Sequence, residues 1–244
     1  ANNGQSLTIL GSGFGSKGAN VPILWDTVEN QYPGLTNGQT IPTGSGYPWE
    51  HNAAARNLIK YCSTAIEQRG RYSSSCYKAS NTSNASLWGH KVEGATYLYV
   101  SWWWKTANDV SGTNHSSKFL RLSDSTDIPN ATFSWTQMQN YVYDATSSCM
   151  PGYCTNVWVG TAPSVNQWHF FEAYFDSENM TYTLRVDNSS IVSNKSFSPG
   201  SLVFDYVWKV GFDGGGDTPP LITSWMDDIY IDNTPQHAVI GNAS

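Results

Sequence analysis

Charge is what this chain has least of. Asp, Glu, Lys and Arg make up 13% of its 244 residues, about half of the usual share of roughly 25%. The 13 basic residues face 19 acidic ones, a net charge of -6. Nucleic acid and anionic lipid, which need a cationic face, are therefore disfavoured as partners. No stretch of ~20 apolar residues occurs, so no membrane insertion is expected. A charged-then-apolar leader is also missing, as expected of a mature secreted form beginning at Ala1. The five histidines, His51, His90, His115, His169 and His237, lack ligand spacing. Gly44-Ser-Gly46 lacks the nucleophile-elbow pattern and sits in a Pro/Gly loop, so nucleophilic hydrolysis has no support. No repeat with a period of 20–50 residues is present.

Cysteine is scarce but even in number. Cys62, Cys76, Cys149 and Cys154 permit three pairings, and proximity favours Cys62–Cys76 and Cys149–Cys154. The first closes a loop of about 15 residues, worth roughly 3 kcal/mol on the chain-entropy model. The Cys-x4-Cys spacing has no second pair or histidine cluster beside it, which argues for disulfides over zinc. Asn-x-Ser/Thr sequons stand at Asn81, Asn84, Asn114, Asn130, Asn179, Asn188, Asn194 and Asn242. Disulfides and sequons together point to an extracellular location, secreted or on the cell surface.

Aromatics, at 14%, are plentiful and include 11 Trp. They fall on alternating positions. In Tyr97–Lys105, Leu98, Val100, Trp102 and Trp104 share one face, with Tyr97, Tyr99, Ser101, Trp103 and Lys105 on the other. In Trp168–Asp176, Phe171, Ala173 and Phe175 form the apolar face behind His169. Trp168, Phe170, Glu172, Tyr174 and Asp176 oppose them. Thr181–Asp187 buries Tyr182, Leu184 and Val186, and Leu202–Phe212 alternates in the same way. Ser6–Leu10 and Ile23–Asp26 read as short strands, with Trp25 as a core anchor, and Gly11–Gly15 as a tight turn. Near-helical spacing of Ala55, Leu58, Ile59, Cys62 and Ile66 predicts one short helix over Ala53–Ile66. Half-buried strands between polar turns predict an all-β, antiparallel sandwich.

The stretch Trp225–Asp232 is the most telling. Strict alternation places Trp225, Asp227, Ile229 and Ile231 together, so Asp227 is predicted to point inward beside apolar side chains. A buried carboxylate needs hydrogen bonds, a charged partner or a metal.

Three of these stretches, Tyr97–Lys105, Trp168–Asp187 and the late Asp-Asp-Ile-Tyr-Ile strand, resemble the concanavalin A-like jelly-roll superfamily. That resemblance implies a jelly roll over residues 21–244, with residues 1–20 as an N-terminal strand and glycine-rich turn of the same domain. It also implies three kinds of chemistry. Laminarinase-like relatives carry Glu-x-Asp-x-x-Glu on one strand. Here Glu172 and Asp176 lie roughly 13 Å apart along a strand, beyond the ~6.5–9.5 Å of an inverting pair. Lyase relatives use a Tyr or His base, with an Arg, Gln or Asn neutralising the uronate carboxylate. Arg71, Lys105, Arg121, His169 and several tyrosines are candidates, but the alginate-lyase signatures are absent. Binding modules of this fold often hold a structural calcium between an early strand and the last, which nominates Asp26, Glu29, Asp227 and Asp228 as oxygen ligands. The alternative is that Asp227 accepts N–H bonds.

Carbohydrate binding fits the residues themselves. Aromatic planes stack on sugar C–H faces while carboxylates and amides bond the hydroxyls. Tyr97, Tyr99, Trp103 and Lys105 on one strand, with Trp168, Glu172 and Tyr174 on another, combine both features. The expected function is a non-catalytic extracellular glycan-binding or adhesion module, with a polysaccharide lyase as the alternative. A third reading is a self-assembling subunit of a surface layer or filament, because exposed apolar faces also mark subunit contacts.

Overall fold

A computed structural model describes residues 22–29, 31–49, 51–52, 59–65, 67–69, 74–80, 87–107, 116–123, 129–136, 139–144, 157–161, 164–179, 181–196, 204–210 and 223–233. All elements among them are strands. The first six are β1 (Leu24–Asp26), β2 (His51–Asn52), β3 (Ile59–Cys62), β4 (Cys76–Ser80), β5 (Leu87–Ala95) and β6 (Tyr97–Thr106). There follow β7 (Ser116–Ser123), β8 (Pro129–Thr136), β9 (Gln139–Asp144), β10 (Val157–Thr161) and β11 (His169–Asp176). The last are β12 (Thr181–Val186), β13 (Ser189–Ser196), β14 (Phe204–Val210) and β15 (Thr223–Asp232).

Every pairing is antiparallel, and the strands form two sheets of a jelly-roll sandwich. The first sheet runs β13-β12-β11-β6-β15-β4-β3, with β1 also on β15; the second runs β10-β9-β8-β7-β14-β5-β2. Between β5 in one sheet and β6 in the other lies only residue 96. Glu93 and Gly94, with φ of 51° and 75°, bend the chain across. Val92 and Ala95 of β5 join one buried cluster with Leu98, Trp102 and Trp104 of β6 and with Phe171 and Leu184. The core therefore lies between the sheets. Burial of each such large side chain contributes about 1.5–3 kcal/mol.

The alternation read in β6, β11 and β12 holds. Leu98, Val100, Trp102, Trp104, Phe171, Ala173, Phe175, Tyr182, Leu184 and Val186 are all in the core. Three expectations need correction. The helix over Ala53–Ile66 is not formed at Ile59–Cys62, which is strand β3, paired residue for residue with β4 from Ile59↔Ala79 to Cys62↔Cys76; residues 53–58 lie outside the described set. Helical spacing in so short a run also fits a strand once cross-strand pairing is available. Trp25 is not a core anchor: it is 62% exposed, while its neighbours Leu24 and Asp26 turn inward.

The third correction concerns β15. Asp227 lies opposite Trp103 but Tyr230 lies opposite Ser101, so three steps on β15 match two on β6. This is a β-bulge, with Asp228 at φ 44°. It shifts the alternation, leaving Met226, Ile229 and Ile231 in the core. Trp225, Asp227, Tyr230 and Asp232 share the opposite, outer face. Asp227 is buried, but not beside the isoleucines. The bulge also falls where the other edge of β15 changes partner, from β4 at 223–226 to β1 at 229–231.

Candidate functional site

Cross-strand register decides which predicted site residues meet. Tyr174 is opposite both Tyr99 and Thr183, and Glu172 is opposite Ser101 and Arg185. Directly opposed residues share a face, so Tyr99, Glu172, Tyr174, Thr183 and Arg185 gather on the outer face of the first sheet. They line a cavity of about 360 Å³, together with Ser190, Ser193 and Asn194 of β13.

Glu172 forms the floor and is 3% exposed. Its Oε1 accepts the Tyr99 hydroxyl at 2.7 Å. Its Oε2 has no hydrogen-bond partner and lies 3.8 Å from Arg185 Nε, which has none either. Arg185 is held by donating from Nη2 to the Asn188 carbonyl at 2.6 Å. Burial pushes the Glu172 carboxyl up, and the Tyr99 hydroxyl and Arg185 only partly offset it. Burial and the hydrogen bond to Glu172 hold the Tyr99 phenol far above its ordinary value. Tyr174 is raised as well, by burial and then by Asp176 and Glu178. Beyond the cavity, Tyr97 donates to Glu178, which pushes its phenol up to about 12.

Trp103, Lys105 and Trp168 occupy the other half of the same face, under the segment between β3 and β4. The Arg69 guanidinium lies 4.5 Å over the Trp103 ring. Trp168 Nε1 donates to the Gln68 carbonyl at 3.2 Å. Lys105 Nζ sits 4.5 Å from the Trp225 ring and 5.1 Å from that of Trp168, and donates to the Glu67 carbonyl at 3.3 Å. Burial lowers the Lys105 pKa. Glu67 itself pairs with Lys78, and burial is outweighed there by Lys78 and Thr64, which hold the carboxyl down. The Cys62–Cys76 disulfide closes the base of this segment, its Cα atoms 5.0 Å apart. Cys149 and Cys154 lie outside the described residues.

Of the four nominated calcium ligands, three come together. Carboxylate oxygens of Glu29, Asp227 and Asp228 lie within 4.8 Å of one another at the bulge. A cation is already among them, because Arg69 donates from Nε to Asp227 Oδ2 at 3.1 Å and from Nη2 to Asp228. Asp227 Oδ1 accepts the Asp228 N–H at 2.8 Å. Glu29 Oε1 accepts the N–H groups of Ser74 at 3.0 Å and Ser75 at 3.4 Å. Asp26 does not join them. It is fully buried and accepts Val28 N–H at 3.0 Å, Trp49 Nε1–H at 2.8 Å and the Tyr77 hydroxyl at 2.5 Å.

The lyase candidates are not assembled among the described residues. Lys105 is covered, Arg121 lies on β7 in the second sheet, and Arg71 is outside the described set. His169 has another arrangement that its sequence position did not reveal. Its Nδ1 lies 2.6 Å from Asp187 Oδ2, and its Nε2 lies 3.2 Å from Ser164 Oγ. The order resembles an acyl-transfer triad, but Nε2 is nearer still, at 3.0 Å, to the Ser164 carbonyl. The ring is thus set between the Asp187 carboxylate on one side and the hydroxyl and carbonyl of Ser164 on the other. Asp187 also accepts Phe170 N–H at 2.9 Å, and the trio fastens the β12–β13 hairpin to the start of β11.

Among the sequons, Asn179, Asn188 and Asn194 are exposed. Asn179 Nδ2 donates to Asp176 at 2.7 Å, and Asn194 stands on the cavity rim. Asn130 is in β8, while Asn81, Asn84, Asn114 and Asn242 lie outside the described residues.

No family model matches the chain, and no curated protein matches its sequence. Solved structures do resemble it. The cellulose-induced protein Cip1 superposes with a TM-score of 0.54 at 14% identity, over 72% of this chain and 85% of Cip1. A botulinum neurotoxin serotype D/C binding domain gives 0.50 at 8% identity, over 66% of this chain and 41% of that one. A sialidase gives 0.49 at 12% identity, and the chain spans only 18% of its length. At such identities the likeness to Cip1 and to the neurotoxin domain shows the fold alone, a β-sandwich.

Proposed function

We propose that this chain is a non-catalytic carbohydrate-binding module of the concanavalin A-like type, acting outside the cell in glycan recognition or adhesion. The observation that supports it is the cavity on the first sheet. An aromatic ring, Tyr174, lines it beside the buried Glu172 carboxylate, with an arginine, hydroxyls and the Asn194 amide. Sugar hydroxyls need paired donors and acceptors in that mixture, and a small number of placed polar groups in a largely apolar pocket is the usual form of a ligand site. The disulfide fits an oxidising compartment. No helix among the described residues is long and apolar enough to cross a membrane.

A lyase would place a tyrosine base beside a cation, and Tyr99 with Arg185 has that composition. Yet Tyr99 is held protonated far above neutral pH by burial and Glu172, which suits a hydrogen-bond donor and not a base. The test is a glycan array on the wild-type chain and Tyr174→Ala. Binding that disappears with Tyr174 supports the module; ultraviolet absorbance of unsaturated uronates growing in a polyuronate digest promotes the lyase. Self-assembly into a layer or filament is tested by light scattering over a concentration series. Cross-linked assembly without glycan binding would favour that reading.

For the nest at Glu29, Asp227 and Asp228, we infer that Arg69 supplies the positive charge. The three carboxylates have the donor chemistry calcium requires, and calcium would take the same position once the guanidinium leaves. Thermal melts with EDTA and with added calcium test this on the wild type.

A further inference from the structure

The outer face of the first sheet is long enough for an extended glycan, but only part of it is open. Trp103, Lys105, Trp168 and Trp225 would continue the aromatic surface beyond Tyr99. Arg69 lies on Trp103, the Gln68 carbonyl takes the Trp168 N–H, and the Glu67 carbonyl takes Lys105. The covering residues are anchored at both levels. The Cys62–Cys76 disulfide fixes the ends of their segment, and the buried Asp227 carboxylate holds Arg69. One pair-step separates Trp103 from the cavity, and Ser101 on that step is only 5% exposed. The cleft is therefore blind at its Trp103 end. At the other end Tyr97 and Glu178 stand at the surface, with Glu178 exposed.

Size agrees with shape. A cavity of about 360 Å³ is at the low end of the ~300–1,000 Å³ seen for ligand sites, room for roughly one or two hexose rings. Charge narrows the choice further. Arg185 and Glu172 face each other at 3.8 Å and offset one another, and among the described residues no second cation lines the cavity. An added carboxylate would meet Glu172 beneath it and Glu178 at the entrance.

Building on the carbohydrate-binding reading, we propose that this site recognises chain ends. It takes the terminal residue of an uncharged glycan over Glu172 and Arg185, and the remainder of the chain leaves past Tyr174 and Tyr97. A module of this kind counts termini, and passes over the interior of a polysaccharide.

The experiment is calorimetry with ladders of uncharged oligosaccharides from mono- to hexasaccharide, chosen from glycan-array hits, alongside the parent polymer, an end-blocked polymer and a matching uronate ladder. Affinity per chain is expected to level off by the disaccharide, staying within about twofold up to the hexasaccharide, where tenfold corresponds to ~1.4 kcal/mol. Polymer binding is expected to follow the number of ends and to vanish on blocking them. Affinity that keeps climbing through the hexasaccharide, equal binding of end-blocked polymer, or preference for the uronate ladder would each overturn the chain-end proposal while leaving glycan binding intact. If neither the array nor any ladder shows binding, the carbohydrate reading itself falls.

Discussion

Arg69 offers the sharpest perturbation, because a single side chain both neutralises the bulge in β15 and blinds the cleft. Arg69→Met keeps most of the volume over Trp103 and removes the charge. Asp227 is 0% exposed and Arg69 11%, so the variant takes the Arg69 guanidinium away from a buried carboxylate. Removing one partner of a buried pair costs about 3–5 kcal/mol. The contact with Asp228 adds little, since that side chain is 31% exposed and solvent screens it. For a chain of this length 1 kcal/mol moves Tm by roughly 2–4 °C, so a fall of about 6–20 °C is expected in a calorimetric or circular-dichroism melt. Adding Asp227→Asn removes the buried charge, and the double variant is expected to recover more than half of the loss. Calcium gives the second readout. EDTA is expected to leave the wild-type Tm unchanged, whereas millimolar calcium stabilises Arg69→Met through the vacated nest. A drop below about 1 kcal/mol in Arg69→Met, together with a wild type that loses stability in EDTA, would refute the guanidinium as resident cation.

Three further outcomes follow from the same geometry. Glu172 binds its proton more tightly folded than unfolded, so its contribution is complete below the unfolded pKa of about 4.3 and is lost as pH rises through the folded value. Glu172→Gln is accordingly expected to flatten that part of the Tm–pH profile and to weaken glycan binding; an unchanged profile would contradict the burial argument. Cys62→Ser with Cys76→Ser is expected to cost roughly 3 kcal/mol and to shift tryptophan emission to the red as Trp168 and Trp225 lose their cover, while unaltered emission would mean that the segment stays down without its staple. Ser164→Ala is expected to change neither Tm nor the background hydrolysis of an activated acetyl ester. His169→Gln is expected to lower Tm, and ester hydrolysis abolished by either substitution would show that the trio is catalytic.

Much of the fold was legible because β6, β11 and β12 obey a strict two-residue period. That period fixes which side chains reach the core whatever the strands pair with. It also put Tyr99, Glu172 and Tyr174 on outward faces, and register then brought them together. Thr183, Arg185, Ser193 and Asn194 were missed, because nothing local marks which strand will lie beside β11. The sequence of β12 holds a signal: Arg185 is its single charged residue, at an outward position that alternates with the apolar Tyr182, Leu184 and Val186. Alternation presents Trp103 and Trp168 as open surface for the converse reason. Their exposure is decided by Arg69 and Gln68, a hundred residues or fewer away along the chain but unrelated to them by any periodic pattern.

Asp227 shows the limit most clearly. Alternation placed it with Ile229 and Ile231 because a bulge inserts one residue without altering composition, and every side chain beyond it changes face. Two facts in the sequence pointed to that irregularity. Strict alternation would bury an acid among isoleucines while exposing Met226, and a second acid, at 228, follows immediately. Skipping one residue at Asp228 resolves both conflicts at once, since Met226, Ile229 and Ile231 then line up inward and the two carboxylates converge on one cation. The bulge thus links the fold to the site. It frees β15 to change edge partners from β4 to β1, opens the gap that Glu29 and Arg69 fill, and so sets the guanidinium over Trp103 where the cleft ends.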